Sequence, residues 1–460
     1  MKRQNLVALL ATLMTATAWG QEVSLYGTTM AQMWKSETVG FDKATYTPAT
    51  QYLGIDANKL GSDNLSLHLF GWGRTDLSDS SNLDGSKSSG YLNFGYLQYR
   101  FNQANAEIKA GRFTVSQGTG FEQVDGVSLR TDLRGGFTFS AFGGKPVLYK
   151  TVDLDSQKDY DFQRDVIFGT RLGWRIPKVG EIGVSYLQDG TKAAKELPIP
   201  SSVDYTRKQM GVDLLIAPAP AFQLRGRTIF DVADHAALPA GTEKPSNIAE
   251  HDYTAIVKFG SKVTVTANVA ERNFYAYFAG TNLPSLFRQD EKDKYKGYGG
   301  SLTVSASANL QLVADFRHMN RESFGDVTRV GGELRYASTE KHYMAGLGMR
   351  SVSASKTIQV DPTAPGRSLS HTELRAFTMI ERKRLSLSLD GIVQQYKEGN
   401  PYLNGLTSLY EVVASLGFKA TANLKLSGDI SRGSTPVAKD ETRGLLRAEY
   451  RFGFGKKGGQ

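Results

Sequence analysis

The sequence predicts an all-β chain that closes into a transmembrane antiparallel β-barrel of about 22 strands (range 20–24), with no plug domain. Three observations carry this. Most of the chain divides into short segments in which apolar and polar residues alternate. Tight turn-forming links alternate with longer polar ones. The composition pairs 48 glycines with 21 tyrosines and 23 phenylalanines, with no long apolar run after the first residues.

The first residues read as an export signal. Lys2 and Arg3 form a positive start, residues 6–14 an apolar stretch, and Ala18-Trp19-Gly20 a small-residue cleavage pattern. The apolar stretch is about half the roughly 20 residues a spanning helix needs. The expected organisation is therefore a cleaved signal over 1–20 and a single barrel over 21–460.

From the first segment, Val23 to Trp34, to the last, Thr442 to Phe454, the period is two. In 385–393 the residues Leu385, Leu387, Leu389, Gly391 and Val393 fall on one face and Ser386, Ser388, Asp390 and Ile392 on the other. Val263, Val265, Ala267 and Val269 alternate with Thr264, Thr266, Asn268 and Ala270, and Leu424, Leu426, Gly428 and Ile430 alternate with Lys425, Ser427, Asp429 and Ser431. Successive side chains of a strand point to opposite faces, so each segment offers one apolar and one polar wall.

Tight links are expected at 61–64, 102–105, 132–135, 177–180, 218–220, 260–262, 305–309, 338–341, 381–384 and 419–423. Longer links are expected near 35–48, 77–89, 116–122, 146–162, 190–203, 233–248, 275–293, 321–326, 353–368, 397–405 and 433–440. Such segregation is the pattern of a membrane barrel with short periplasmic turns and longer external loops. The strand count is even and uses up the chain. A barrel of this size is roughly 40 Å across, too wide for side chains alone to fill.

With the apolar faces in lipid, the polar faces line the lumen. The candidate lumen-facing basic residues are Arg171, Arg175, Arg225, Arg227, Arg329, Arg335, Arg443, Arg447 and Arg451, the last three clustered on the final strand. Counted over all the segments, inward basic residues outnumber inward acids by about 18 to 11, and a positive wall biases a pore toward anions. Alternatively, arginine and acid neutralise one another across strands as the ordinary lining of a wet wall. Aromatic residues near strand ends, among them Tyr26, Trp34, Tyr91, Tyr99, Phe101, Trp174, Phe259, Phe274, Tyr336, Tyr343, Tyr450, Phe452 and Phe454, are expected at the headgroup level.

Chemistry is sparse. With no cysteine, thiolate metal sites, cysteine nucleophiles and covalent haem attachment drop out. The six histidines lack metal-ligand spacing, and no phosphate-cradling loop leads into a helix. No enzyme activity, bound cofactor, metal or nucleic acid is expected.

The opening Val23-Ser24-Leu25-Tyr26-Gly27 and the stretch Ala110-Gly111-Arg112-Phe113 resemble strands of Gram-negative outer-membrane porins. Val124 to Arg130 followed by Gly136 to Gly144 is similar to hairpins of large monomeric barrels of the alginate-export type and of porin-cytochrome conduits. One departure is the tail 455–460 after the aromatic residues with which such chains usually end. The resemblance implies a monomeric barrel in outer-membrane lipid that passes small hydrophilic, anionic solutes. A rival reading is a sheath around a multihaem cytochrome for electron transfer. A third is an exporter of an acidic polysaccharide.

Overall fold

The computed structural model describes residues 22–38, 44–78, 87–147, 164–191, 207–232, 247–273, 294–321, 325–338, 342–359, 365–403, 405–435 and 438–454, with Glu340 and Thr363. The signal segment 1–20, Phe274, the tail 455–460 and much of the expected long links lie outside them.

Among the described residues, 22 strands build the barrel. The first six are β1 Glu22–Thr38, β2 Pro48–Asn58, β3 Leu65–Asp76, β4 Ser88–Phe101, β5 Ala106–Gln117 and β6 Gly120–Asp132. Next come β7 Phe137–Pro146, β8 Arg164–Ile176, β9 Gly180–Thr191, β10 Arg207–Ala219, β11 Phe222–Asp231 and β12 Ile248–Phe259. They continue with β13 Val263–Asn273, β14 Lys294–Ser305, β15 Leu310–Arg321, β16 Gly325–Ser338 and β17 Tyr343–Ala354. The last are β18 His371–Arg382, β19 Leu385–Tyr396, β20 Ser408–Thr421, β21 Leu424–Thr435 and β22 Ala438–Phe454. A short strand, Ala44–Tyr46, extends the sheet above β1, and a two-residue ladder joins Thr357–Ile358 to Arg367–Ser368.

Each strand pairs antiparallel with its chain neighbours, and β1 closes the cylinder against β22, from Val23 opposite Phe454 to Thr38 opposite Ala438. Closure leaves no free sheet edge, so every ladder can be satisfied inside lipid.

Both terminal strands have their outer ends at the rim of short turns. Several of these turns use a left-handed residue: Lys59, Asn105, Lys178, His342 and Lys383 have φ between 44° and 64°. At the opposite rim, three links expected to be long are tight. Gly118-Thr119 alone joins β5 to β6, and only 322–324 and 436–437 separate the strands flanking them. The strands run further than the polar composition of these stretches suggests, because hairpin pairing continues above the apolar belt.

Register fixes the faces. Leu385, Leu387 and Leu389 on β19 are 48–52% exposed, and Leu347, Leu416, Leu446, Val184 and Val330 are similarly bare. They alternate with mostly small, polar or charged residues on the other face. In water an uncovered apolar belt of this extent is unfavourable; in hydrocarbon it is the solvated surface. Among the described residues, packed apolar core is confined to small clusters, the largest of which lies inside the barrel and positions the site described next.

Candidate functional site: the lumen

The pairings place Arg171, Arg175, Arg225, Arg227, Arg329, Arg335, Arg443, Arg447 and Arg451 on the face opposite the exposed apolar belt, pointing into the lumen. Acids tie most of them to the wall. Arg171 on β8 reaches Glu181 at 2.8 Å and, across the whole of β9, Asp213 on β10 at 2.6 Å. It can do so because the intervening residue is Gly183, where a Cβ would fall 2.4 Å from the guanidinium. Arg175 lies 3.4 Å from Glu181 and 3.7 Å from Asp132. Arg227 and Arg272 both hold the buried Glu250, at 2.6 and 2.9 Å.

The densest charge cluster centres on an arginine absent from the nine candidates. Arg350 on β17 meets Glu333 at 3.2 Å, Glu373 at 3.3 Å and Asp315 at 3.5 Å, drawing together β15, β16 and β18. Arg329 also reaches Asp315, and Arg335 also bonds Glu333. The signal was available: Leu347 and Met349 face lipid, so Arg350 must face inward. Arg375 pairs with Asp390 at 2.5 Å, Arg443 with Glu441 at 2.6 Å, and Arg447 with Glu449 at 3.5 Å. Charge-assisted bonds running diagonally across strands fix side chains that would otherwise sweep the lumen. Among the described residues, Arg225, Arg317 and Arg451 have no acid within ion-pair distance, so the wall carries cationic positions not neutralised locally.

Among the described residues, one hairpin leaves the wall. Beyond Gly95–Arg112 the ladder between β4 and β5 stops, while β5 and β6 stay paired to the Gln117–Gly120 turn. This hairpin folds inward and lies on the inner faces of β8–β10. Phe113, Val115 and Val124 pack there against Ile167 and Leu187, with all five essentially buried. Thr119 is buried, and Glu122 pairs with Arg207 on β10. The turn needs Gly118 twice over. Its φ is +57°, and a Cβ would lie 2.3 Å from the Ser185 hydroxyl oxygen. At the departure point Arg112 bonds both oxygens of Asp125 at 2.7 Å and donates to the Leu92 carbonyl at 3.1 Å. The opposite face of the hairpin remains open, with Phe121 76% exposed. Among the described residues, a hairpin closed by a two-residue turn thus folds into the bore, in a stretch that reads from sequence as an external loop.

Several aromatic residues depart from the interfacial belt. Tyr26, Trp34 and Tyr91 lie in register with inward residues, and Trp34 carries the Arg443 guanidinium 5.4 Å from its ring centre. Their periodicity places them on the polar face, where nearness to a strand end is no guide. Tyr99, Phe101, Trp174, Phe259, Tyr336, Tyr343, Tyr450, Phe452 and Phe454 share a face with the apolar belt.

With Tyr52, Phe70, Trp72, Phe94 and Tyr96, the inward rings tile the lumen side of β1–β4. Tyr26 and Tyr52 each lie 6.2 Å from Phe70, inclined to it by 14° and 17°, and Phe94 is 5.5 Å from Phe70. Tyr26 lies flat because Gly54 is beneath it; a Cβ there would be 2.2 Å from the ring. Below them His68 joins Asp56 at 2.7 Å, its ring centre 5.1 Å from that of Tyr96 and tilted to it by 31°. Among the described residues no group of three or more potential ligands is placed to hold a metal.

No family model and no curated protein sequence matches this chain. Solved structures do. A mutant of the ferric enterobactin receptor PfeA from Pseudomonas aeruginosa has a TM-score of 0.53 at 10% identity, over 94% of this chain and 80% of that one. The outer membrane protein OpdK from Pseudomonas aeruginosa has a TM-score of 0.40 at 10% identity, over 94% and 98%. OccAB4 from Acinetobacter baumannii has a TM-score of 0.44 at 11% identity, over 94% and 98%. The receptor likeness is one of fold, and with the bare apolar belt it makes this chain a β-barrel of the bacterial outer-membrane type.

Proposed function

We propose that this chain is a porin-like channel of the outer membrane that passes small hydrophilic, anionic solutes through a bore narrowed by the hairpin 113–124. The observation that carries this reading is the lumen wall itself. Its charged side chains are pinned to strands, and among the described residues Arg225, Arg317 and Arg451 stand between them with no acid within ion-pair distance. Fixed cations in a confined aqueous path raise the local concentration of anions and repel cations. A wall of mobile, fully matched pairs would do neither.

The inserted hairpin weighs against a sheath around a folded cytochrome, since it occupies bore that such a partner would need. It also favours solute-sized traffic over a polymer. No catalytic role is proposed for the chain.

The test is reconstitution of the purified chain in a planar bilayer under a potassium chloride gradient. Stepwise conductance with a reversal potential on the chloride side is expected. Absence of conductance, or selectivity for potassium, would overturn the proposal. Extraction from the native host in mild detergent provides a second check: stoichiometric haem in the purified complex would replace the channel reading with the sheath.

A further inference from the structure

The aromatic tiles and the basic residues of the last strands are remote in sequence and meet only where the barrel closes. Tyr26 on β1 stands directly opposite Arg451 on β22. Lys425 on β21 pairs with Glu449, at 4.0 Å, and Arg447 approaches the same carboxylate at 3.5 Å. Glu449 is thus shared between two cations, while Arg451 has no acid of its own among the described residues. A cavity of about 350 Å³ opens on the lumen side of this seam, lined by Tyr26, Tyr52, Phe70, Lys425, Glu449 and Arg451. That volume lies within the range of small-molecule sites.

Its two sides offer different chemistry. On the β1–β3 side the rings of Tyr26, Tyr52 and Phe70 are nearly parallel and half-exposed, with Gly54 keeping the surface flat. Such a surface attracts the flat face of a ring, by dispersion and by the quadrupole of the π-system. On the β21–β22 side the local charge is positive, and the Arg451 guanidinium has donors free for a carboxylate. An apolar chain with a carboxylate would waste the flat surface; an uncharged ring would leave Arg451 unused.

We propose that this seam cavity is a binding subsite for a ring-bearing carboxylate, with the ring laid on Phe70 and its two tyrosine neighbours and the carboxylate held by Arg451. The subsite deepens the anion-channel reading and rests on it. Two kinds of compound present this chemistry, aromatic acids and uronic sugars.

The experiment reads block of chloride current through the reconstituted full-length chain by added benzoate, glucuronate or acetate. A ring acid is expected to block at a concentration about tenfold or more below that needed for acetate, a ratio equivalent to about 1.4 kcal/mol. Stronger block by benzoate assigns the subsite to aromatic acids, and stronger block by glucuronate to uronic sugars. Phe70→Leu and Arg451→Gln should each raise the half-blocking concentration of the preferred acid several-fold, whereas Phe70→Trp, which keeps a ring, should retain block. Equal block by all three acids in a chloride-selective pore overturns the subsite and leaves the channel reading standing. A pore that is not chloride-selective overturns the channel reading first.

Discussion

Glu122 and Arg207, 85 positions apart in the chain, form an ion pair inside the barrel. Four strand-to-strand steps separate β6 from β10 around the wall, so the contact exists only because the hairpin 113–124 folds inward over the inner faces of β8–β10. The same guanidinium lies 3.7 Å from the buried Asp189. Arg207→Met removes this guanidinium from Glu122 and from the buried Asp189, at a cost of about 1–3 kcal/mol. The hairpin tip is expected to loosen, and single-channel conductance to rise. An unchanged conductance would mean that the hairpin does not limit ion flow.

Phe113 anchors that hairpin from its other strand. It is 2% exposed and packs with Val124, Ile167 and Leu187. Phe113→Ala removes a buried ring and leaves a cavity, a change that typically costs about 3–5 kcal/mol. The barrel wall does not depend on it, so the loss should appear locally. Hydrogen exchange should accelerate in 113–124 and in the facing segment 167–187, with little change in β14–β19.

Arg350 holds three carboxylates on three strands, and its own side chain is only 16% exposed. Removing one partner of a poorly solvated charge cluster costs about 3–5 kcal/mol. Arg350→Met should lower the denaturant midpoint of the folded barrel. It should also uncover negative charge in the lumen, moving the reversal potential toward that of a potassium-selective pore. Arg350→Lys, a smaller and more hydrated cation, should restore selectivity better than stability.

The belt assignment predicts an asymmetry between adjacent positions. Leu389→Arg puts a charge on the lipid face of β19 and should cost about 2–4 kcal/mol if it lies near the bilayer midplane. Ser388→Arg, one residue earlier, points into the wet lumen and should be tolerated. Urea unfolding of the two variants in detergent or lipid checks this; a larger loss for Ser388→Arg than for Leu389→Arg would mean that the faces are reversed, and equal loss would remove the asymmetry.

Much of this was legible from one line of residues. Alternation within 385–393 fixes which side of β19 meets lipid, and the charge on its other face follows from the need of a wide bore for water. Arg350 obeys the same rule: its neighbours Leu347 and Met349 face lipid, so the parity of β17 turns it inward. Tyr26, Trp34 and Tyr91 show the opposite hazard: nearness to a strand end suggests an interfacial belt, yet the parity of their own strands turns them inward. The long link expected at 116–122 went astray because polar residues above an apolar belt look alike whether they form an external loop or a hairpin folded into water.

The sequence by itself determined the period, the two faces of each strand and, through regular link spacing, an even strand number. These are local properties, set within a dozen residues by the pleat and by the preference of apolar groups for lipid. Only the tertiary structure decided which residues face one another across distance. Closure of β1 on β22 sets Tyr26 against Arg451, the absence of a side chain at Gly183 lets Arg171 reach Asp213, and the small Gly118 turn lets a hairpin rest on Ser185. Such pairings depend on register accumulated around the whole cylinder, and no local pattern in the chain records that sum.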